Sequence, residues 1–261
     1  MKSEIPILIY SRSSSRRLPF KAFLPIGEVP LIVFIYRRLS LYFSNVFLLT
    51  SDDKSDDYLA SLARTFSMNV FRGSLESTLF RTKSFLSKYS YKGFFRICGD
   101  SPFYPSHQIY ELVNSPVFDS SNKQLITNVY PQRTWPPGMS IEYIPSSFIF
   151  QAIDKDLTTT NHEHLTEFFY KDVVNSNFNI YSLQNSKKDL SKYSIAIDTK
   201  NDYQKIINHL SNIGKLESKL LIDINTLDLI KGLYQDLDQK DLTEHDLAHL
   251  TKSGHSKIKA D

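Results

Sequence analysis

"IPILIYSRSSSRRLPFK", residues 5–21, joins a short and nearly continuous apolar run to a loop holding four cations and four serines. The run 5–10 reads as a strand buried on both faces, the kind found inside a parallel sheet. In an open α/β sheet, ligands sit outside the carboxyl ends of the strands. The basic loop leaves its strand at that end, so Arg12, Arg16, Arg17 and Lys21 are placed to converge on an anion, with serine hydroxyls as further donors. Arginine forks match phosphate oxygens in bidentate fashion, and lysine adds a mobile point charge. A triphosphate would offset the repulsion among these cations. On spacing alone, a solvated basic surface loop is an equal reading. The loop matches neither the dinucleotide fingerprint nor the Walker motif.

Outward from this stretch, strands and helices alternate. Pro30 suits the start of a helix through 30–43, and 46–50 is a second strand. Residues 51–66 open with Ser and Asp, which cap helices. A third strand (69–71), a third helix (76–89) and a fourth strand (93–98) follow. This order predicts β-α-β units and a mostly parallel sheet. Beyond it, strands are expected at 124–129, 139–144, 178–183 and 193–197. Helices are expected at 162–174 and at 199–210, the latter capped by Thr199. The expected organisation is an α/β domain over 1–214, with 130–185 as an insertion, and a helical extension over 215–261 ending in a polar tail.

Composition limits the function classes. A chain of 261 residues with 41% apolar residues supports one large core. Its net charge of +3 is too small to indicate nucleic acid by itself. Cys98 is the only cysteine, which excludes an internal disulfide and a cysteine-built zinc site and suits a reducing cytoplasm. No run of about 18 apolar residues offers a membrane helix, and Met1–Pro6 does not read as a secretory signal.

Asp100 follows the strand 93–98, and Gly99 before it permits a tight turn. Asp198 follows the apolar run 193–197. Each fits a capping role alone. Together, two carboxylates at strand ends opposite a basic loop suit Mg²⁺, a hard cation that shares oxygen ligands with phosphates. His162 and His164 lack a third metal ligand, and His245 with His249 reads as a surface helix face. Trp135, among prolines, reads as loop packing or an interface anchor. Cys98 reads as a small buried strand residue.

The order of residues in the basic loop resembles A-R-x-x-S-x-R-L-P-x-K, the signature loop of the cytidylyltransferases that make CMP-activated sugars. Within that family the sequence resembles the spore-coat polysaccharide F-type proteins, relatives of CMP-KDO synthetase. Arg12, Ser15, Arg17, Leu18, Pro19 and Lys21 match; Ser11 replaces a small Ala, and Phe20 replaces a usual Gly. Six further segments resemble the family in order: "TSDDKSDD" (50–57), "VFRGS" (70–74), "RICGDSP" (96–102), "PPGMSIEY" (136–143), "HEHLTEFFY" (162–170) and "IAIDTKNDY" (195–203). In the fourth, Gly138 and Glu142 are kept while Ser140 replaces Asp.

The resemblance implies a three-layer, mostly parallel Rossmann-like fold of the nucleotide-diphospho-sugar transferase type, with a small β-rich dimerisation insertion. It implies that CTP and an acidic sugar give a CMP-sugar and pyrophosphate for surface polysaccharide. Arg12, Ser15, Arg17, Lys21 and Gly99 would hold the triphosphate, and Arg72 and Gly73 would meet the cytosine. Arg12, Arg17, Lys21 and Asp100 would carry catalysis, Asp100 and Asp198 would hold Mg²⁺, and Glu142, Glu163 and His164 would contact the sugar. A homodimer through 130–185 is also implied. A nucleotide-sugar glycosyltransferase and a catalytically silent, nucleotide-binding relative remain as the other readings.

Overall fold

The computed structural model describes residues 2–116, 118–120, 124–154, 165–166, 169–170, 179–183, 189–216, 225–234 and 256–258. β1 (Ile7–Tyr10) follows the expected apolar run. A two-stranded hairpin, β2 (Pro25–Ile26) with β3 (Val29–Pro30), then leads into α1 (Leu31–Ser40). The chain continues through β4 (Val46–Ser51), α2 (Asp57–Thr65), β5 (Asn69–Gly73), α3 (Thr78–Tyr89) and β6 (Gly93–Cys98). Next come α4 (Ser106–Val113), β7 (Gln124–Thr127), β8 (Glu142–Pro145) and α5 (Ser146–Asp154). β9 (Asn179–Ser182), α6 (Lys200–Asn212), α7 (Thr226–Leu233) and β10 (Ser256–Ile258) complete the described elements.

One eight-stranded sheet runs in the order β10-β9-β7-β8-β6-β1-β4-β5. β1 lies parallel between β6 and β4, and β5 continues the parallel half. β8 is antiparallel to both β6 and β7, so the sheet changes sense at the β6–β8 junction. The strands from β7 onward thus extend the main sheet.

Side-chain alternation along β1 divides the core. Ile7 and Ile9 pack with α1, α2, α4 and α6 on one face, while Leu8 packs with α3 and α5 on the other. All three side chains are fully buried, which explains why the sequence shows a continuous apolar run and no polar alternation. The result is the three-layer architecture that the resemblance implies. Trp135 is buried and its indole donates to the Leu183 carbonyl at 3.0 Å, so it packs the core beneath the 130–140 loop.

The segment 193–197 differs from expectation. It is largely buried but pairs with no strand among the described residues. Its alternate amides reach two loops: Ile195 N donates to Pro137 O at 2.8 Å and Ile197 N to Asp100 O at 2.8 Å. An apolar run reports burial, and here the backbone is satisfied by loop carbonyls in place of a ladder. α4 and α5, absent from the sequence reading, cover opposite faces of the sheet. The expected helix 162–174 lies largely outside the described residues. No helix among the described residues is long and apolar enough to cross a membrane.

Candidate active site

The carboxyl ends of β1 and β6 open into a cavity of about 720 Å³. Arg12, Arg16, Arg17 and Lys21 of the basic loop line one side, and Arg81 of α3 and Arg96 of β6 add two further cations. Ser15, Gly99, Asp100 and Asp198 also line it. A cavity of this size with six cations and few acids is matched to a polyanion. Arg81 was not legible as a site residue, because "ESTLFRTKSFL" shows only helical periodicity. It is nearly fully buried and is fixed by two bonds from Nε and Nη2 to the Ser74 carbonyl, at 3.0 and 2.8 Å.

The basic loop is held from below by Asp56. One carboxylate oxygen accepts from Ser13 N at 2.7 Å, and the other accepts from Ser51 N at 3.1 Å and Ser51 Oγ at 2.5 Å. This acid is fully buried and joins the loop to the end of β4. The sequence signature 50–57 therefore contains a loop anchor. Burial opposes the charge on Asp56, but the bonds from Ser13 and Ser51 outweigh it, and its pKa lies below the ordinary 3.8.

Phe20 takes a left-handed backbone conformation, φ 57° and ψ 21°. That is the region where glycine carries no penalty, so the backbone at this position follows the path its usual glycine would take. The ring points to solvent at 59% exposure, 6.2 Å from Phe23, and does not line the cavity. The side chain at this position therefore does not obstruct the cavity.

Lys21 ties three segments together. Its Nζ donates to Asp100 Oδ2 at 2.9 Å, to the Ile197 carbonyl at 3.2 Å and to Asp198 Oδ1 at 3.3 Å. Arg17 adds a second ion pair to the same Asp198 oxygen at 2.8 Å. The carboxylates of Asp100 and Asp198 are thus brought together about one ammonium group. Asp100 arrives as expected, at the end of a parallel strand. Asp198 arrives by another route: no strand precedes it, and the Ile197 amide bonds directly to the Asp100 carbonyl. Asp202, in the capping box of α6 with Thr199, also accepts from Asp198 N at 3.2 Å and so fixes its backbone. Gly99 contributes through close approach: a Cβ there would lie 2.7 Å from Ser11 Cβ, so only glycine lets the ends of β6 and β1 meet this closely.

Three predicted residues stand elsewhere. Arg72 does not line the cavity. It donates to Ser51 O and Asp53 O at 2.8 Å each and pairs with Asp57 at 2.7 Å, clamping β5 to the turn after β4. Gly73, beside it, takes part in the same junction, its carbonyl accepting from Asp52 N at 2.8 Å. Glu142 is 2% exposed and is bound by Arg96 Nη1 at 2.6 Å and Tyr170 OH at 2.6 Å. Its oxygens are thereby engaged in orienting Arg96 and not turned to a sugar. Glu163 and His164 lie outside the described residues. Cys98, expected to be buried, is only half-buried at the end of β6 and lines the cavity; desolvation there still pushes its pKa up to about 11, which keeps it a thiol and not a nucleophile.

The donor set also fits a divalent cation. Two carboxylates converge at the mouth of a polyanion cavity, which is the ligand type and number that Mg²⁺ takes when it shares substrate phosphates. The Lys21 ammonium offsets the repulsion between them.

Comparison with known proteins agrees with this geometry. A family model described as cytidylyltransferase matches residues 6–240. The spore coat polysaccharide biosynthesis protein SpsF of Bacillus subtilis is 25% identical over 215 residues, covering 78% of this chain and 85% of that protein. A cytidylyltransferase from Leptospira borgpetersenii superposes with a TM-score of 0.76 at 24% identity, covering 96% of this chain and 98% of that one. A CMP:2-keto-3-deoxy-manno-octonic acid synthetase solved with CTP gives 0.58 at 16% identity, covering 81% and 100%.

Proposed function

The chain belongs to the cytidylyltransferase family, and from that premise we propose that it transfers the cytidylyl group of CTP to a hydroxyl of an acidic sugar, releasing pyrophosphate. The observation that carries this reading is the cavity at the ends of β1 and β6, cation-lined on one side and closed by Asp100, Lys21 and Asp198. In the proposed step the sugar oxygen bonds to the α-phosphorus and the α–β bridging P–O bond breaks. Pyrophosphate leaves with that electron pair, and the hydroxyl proton passes to solvent. The task of the protein is charge neutralisation and alignment.

Arg12, Arg17 and Lys21 would bind the triphosphate, with Ser15 and the Gly99 backbone beside it. Arg81 and Arg96 supply fixed positive charge at the floor. Asp100 and Asp198 would hold Mg²⁺, which supplies Lewis-acid polarisation of a phosphoryl oxygen when bound. A spore coat polysaccharide biosynthesis protein is similar in sequence and a CMP:2-keto-3-deoxy-manno-octonic acid synthetase is similar in fold, which supports a product destined for surface polysaccharide. A homodimer through residues 130–185 belongs to the same reading.

The test is pyrophosphate release with CTP or UTP, Mg²⁺ and a panel of sugar acids. Acceptor-dependent release with CTP at least about tenfold faster than with UTP is expected, since a site paired to the cytosine amino group leaves buried groups unsatisfied with uracil. Equal use of both nucleotides overturns the base assignment, and preference for UTP favours a nucleotide-sugar glycosyltransferase.

A further inference from the structure

Beside the main cavity lies a second pocket of about 150 Å³. Arg96, Cys98, Asp100 and Asp198 line both, so the small pocket opens onto the reacting end of the large one. Its remaining wall comes from Ser101, Tyr104, Arg133, the loop 137–140 and Ala196. Gly138 shapes that wall: its φ is +98°, and a Cβ would lie 2.8 Å from Ala196 N.

Two residues that line this pocket each carry a buried polar atom with no partner among the described residues: the Tyr104 hydroxyl and Arg96 Nε. Tyr104 is 3% exposed. An unpaired buried donor is costly, and such groups call for a partner the chain itself does not provide. Burial pushes the Tyr104 pKa well above the ordinary value, so the hydroxyl stays protonated and able to donate. Arg133 completes the set. Its Nη1 donates to Ser140 Oγ at 2.8 Å, and no carboxylate pairs with it among the described residues. A hydroxyl orients this guanidinium but does not cancel its charge.

We propose that Arg133, oriented by Ser140, and the Tyr104 hydroxyl form a carboxylate subsite that selects the acceptor. This rests on the acceptor reaction proposed above and adds the residues that read the acid. The pocket is far smaller than the nucleotide cavity and suits the anionic head of a sugar acid. A carboxylate held there stands beside Asp100 and Asp198, which directs the neighbouring sugar hydroxyl toward the α-phosphate end of the cavity. The arrangement explains why the pocket carries donors and cationic charge beside two acids already engaged by Lys21.

The experiment measures CTP-dependent pyrophosphate release with free 2-keto-3-deoxy sugar acids and with their methyl esters, in the wild type and in Arg133→Gln, Ser140→Asp and Tyr104→Phe. Calorimetry of CTP binding runs alongside. The acids are expected to exceed the esters in kcat/KM by about 10- to 100-fold, the range of a hydrogen bond to a charged group. Arg133→Gln and Ser140→Asp are expected to raise KM for the acid by a similar factor, with Tyr104→Phe smaller, while CTP affinity stays within about twofold. Acids and esters used equally, or an unchanged KM in Arg133→Gln, overturns the subsite and leaves the acidic-acceptor reading standing. Release with neutral sugars alone, or with no acceptor despite normal CTP binding, overturns both.

Discussion

At the residue scale, Phe20 holds a conformation that costs a residue with a Cβ about 1–2 kcal/mol relative to glycine. Its ring does little to repay this, since the side chain is mostly exposed and lies 6.2 Å from Phe23. The backbone is held there by its neighbours: Phe20 N donates to Ser13 O at 3.1 Å, and Phe20 O accepts from Phe23 N at 2.9 Å. Phe20→Gly is therefore expected to raise unfolding stability by up to about 1 kcal/mol, part of the gain being lost to the greater freedom of glycine in the unfolded chain. Phe20→Val, β-branched in the same conformation, is expected to lower it. Urea titration of both variants checks the signs. CTP affinity of Phe20→Gly should match the wild type, because the ring does not line the cavity. A single sequence shows that Phe stands where Gly is usual; it does not show that the loop keeps the glycine path and turns the ring outward.

At the element scale, what was legible depended on whether a feature is local. Strand β1, helix α3 and the capped start of α6 follow from runs, periodicity and caps. Segment 193–197 was misread because apolar content reports burial and not pairing. The roles of Arg72, Glu142 and Asp56 were illegible because they depend on partners far along the chain. Asp56 shows the consequence best. It joins the basic loop to the end of β4 across 43 residues. Its folded pKa is lowered, so the stability it contributes is complete above about 3.8 and is lost as pH falls through the folded value. Asp56→Asn should cost about 1.5–3 kcal/mol at neutral pH, as expected for hydrogen bonds to a buried charge. It should also weaken CTP binding, since the loop loses its anchor. Thermal melts from pH 7 to pH 3 should show the wild type and variant far apart at neutrality and converging below about pH 4. A gap that stays constant with pH would mean that the Asp56 charge does not hold the loop.

At the scale of the whole molecule, the two halves of the chain meet at one ammonium group. Lys21 belongs to the first loop, Asp100 to the end of the central strand and Asp198 to the segment before α6, so this contact spans up to 177 residues. If Lys21 is removed, Asp100 loses its cation and Arg17 on Asp198 is the charge left to offset the two facing carboxylates, so their repulsion is relieved less. In the proposed mechanism a magnesium ion would meet the same need once CTP occupies the cavity. Lys21→Met should accordingly lower the melting temperature in metal-free buffer. Added Mg²⁺ should then stabilise the variant more than the wild type, because an ion that binds only the folded form stabilises by mass action and no ammonium competes for its place. Asp100→Asn makes the complementary case. Lys21 keeps Asp198 and the Ile197 carbonyl as partners, so the fold and metal-free CTP affinity should persist while pyrophosphate release is abolished. Calorimetry and differential scanning with and without Mg²⁺ read the stability and CTP binding of both variants, and a pyrophosphate assay reads Asp100→Asn. Mg²⁺ stabilising the wild type and Lys21→Met equally would place the ion elsewhere, and Asp100→Asn retaining pyrophosphate release would remove this carboxylate from the mechanism.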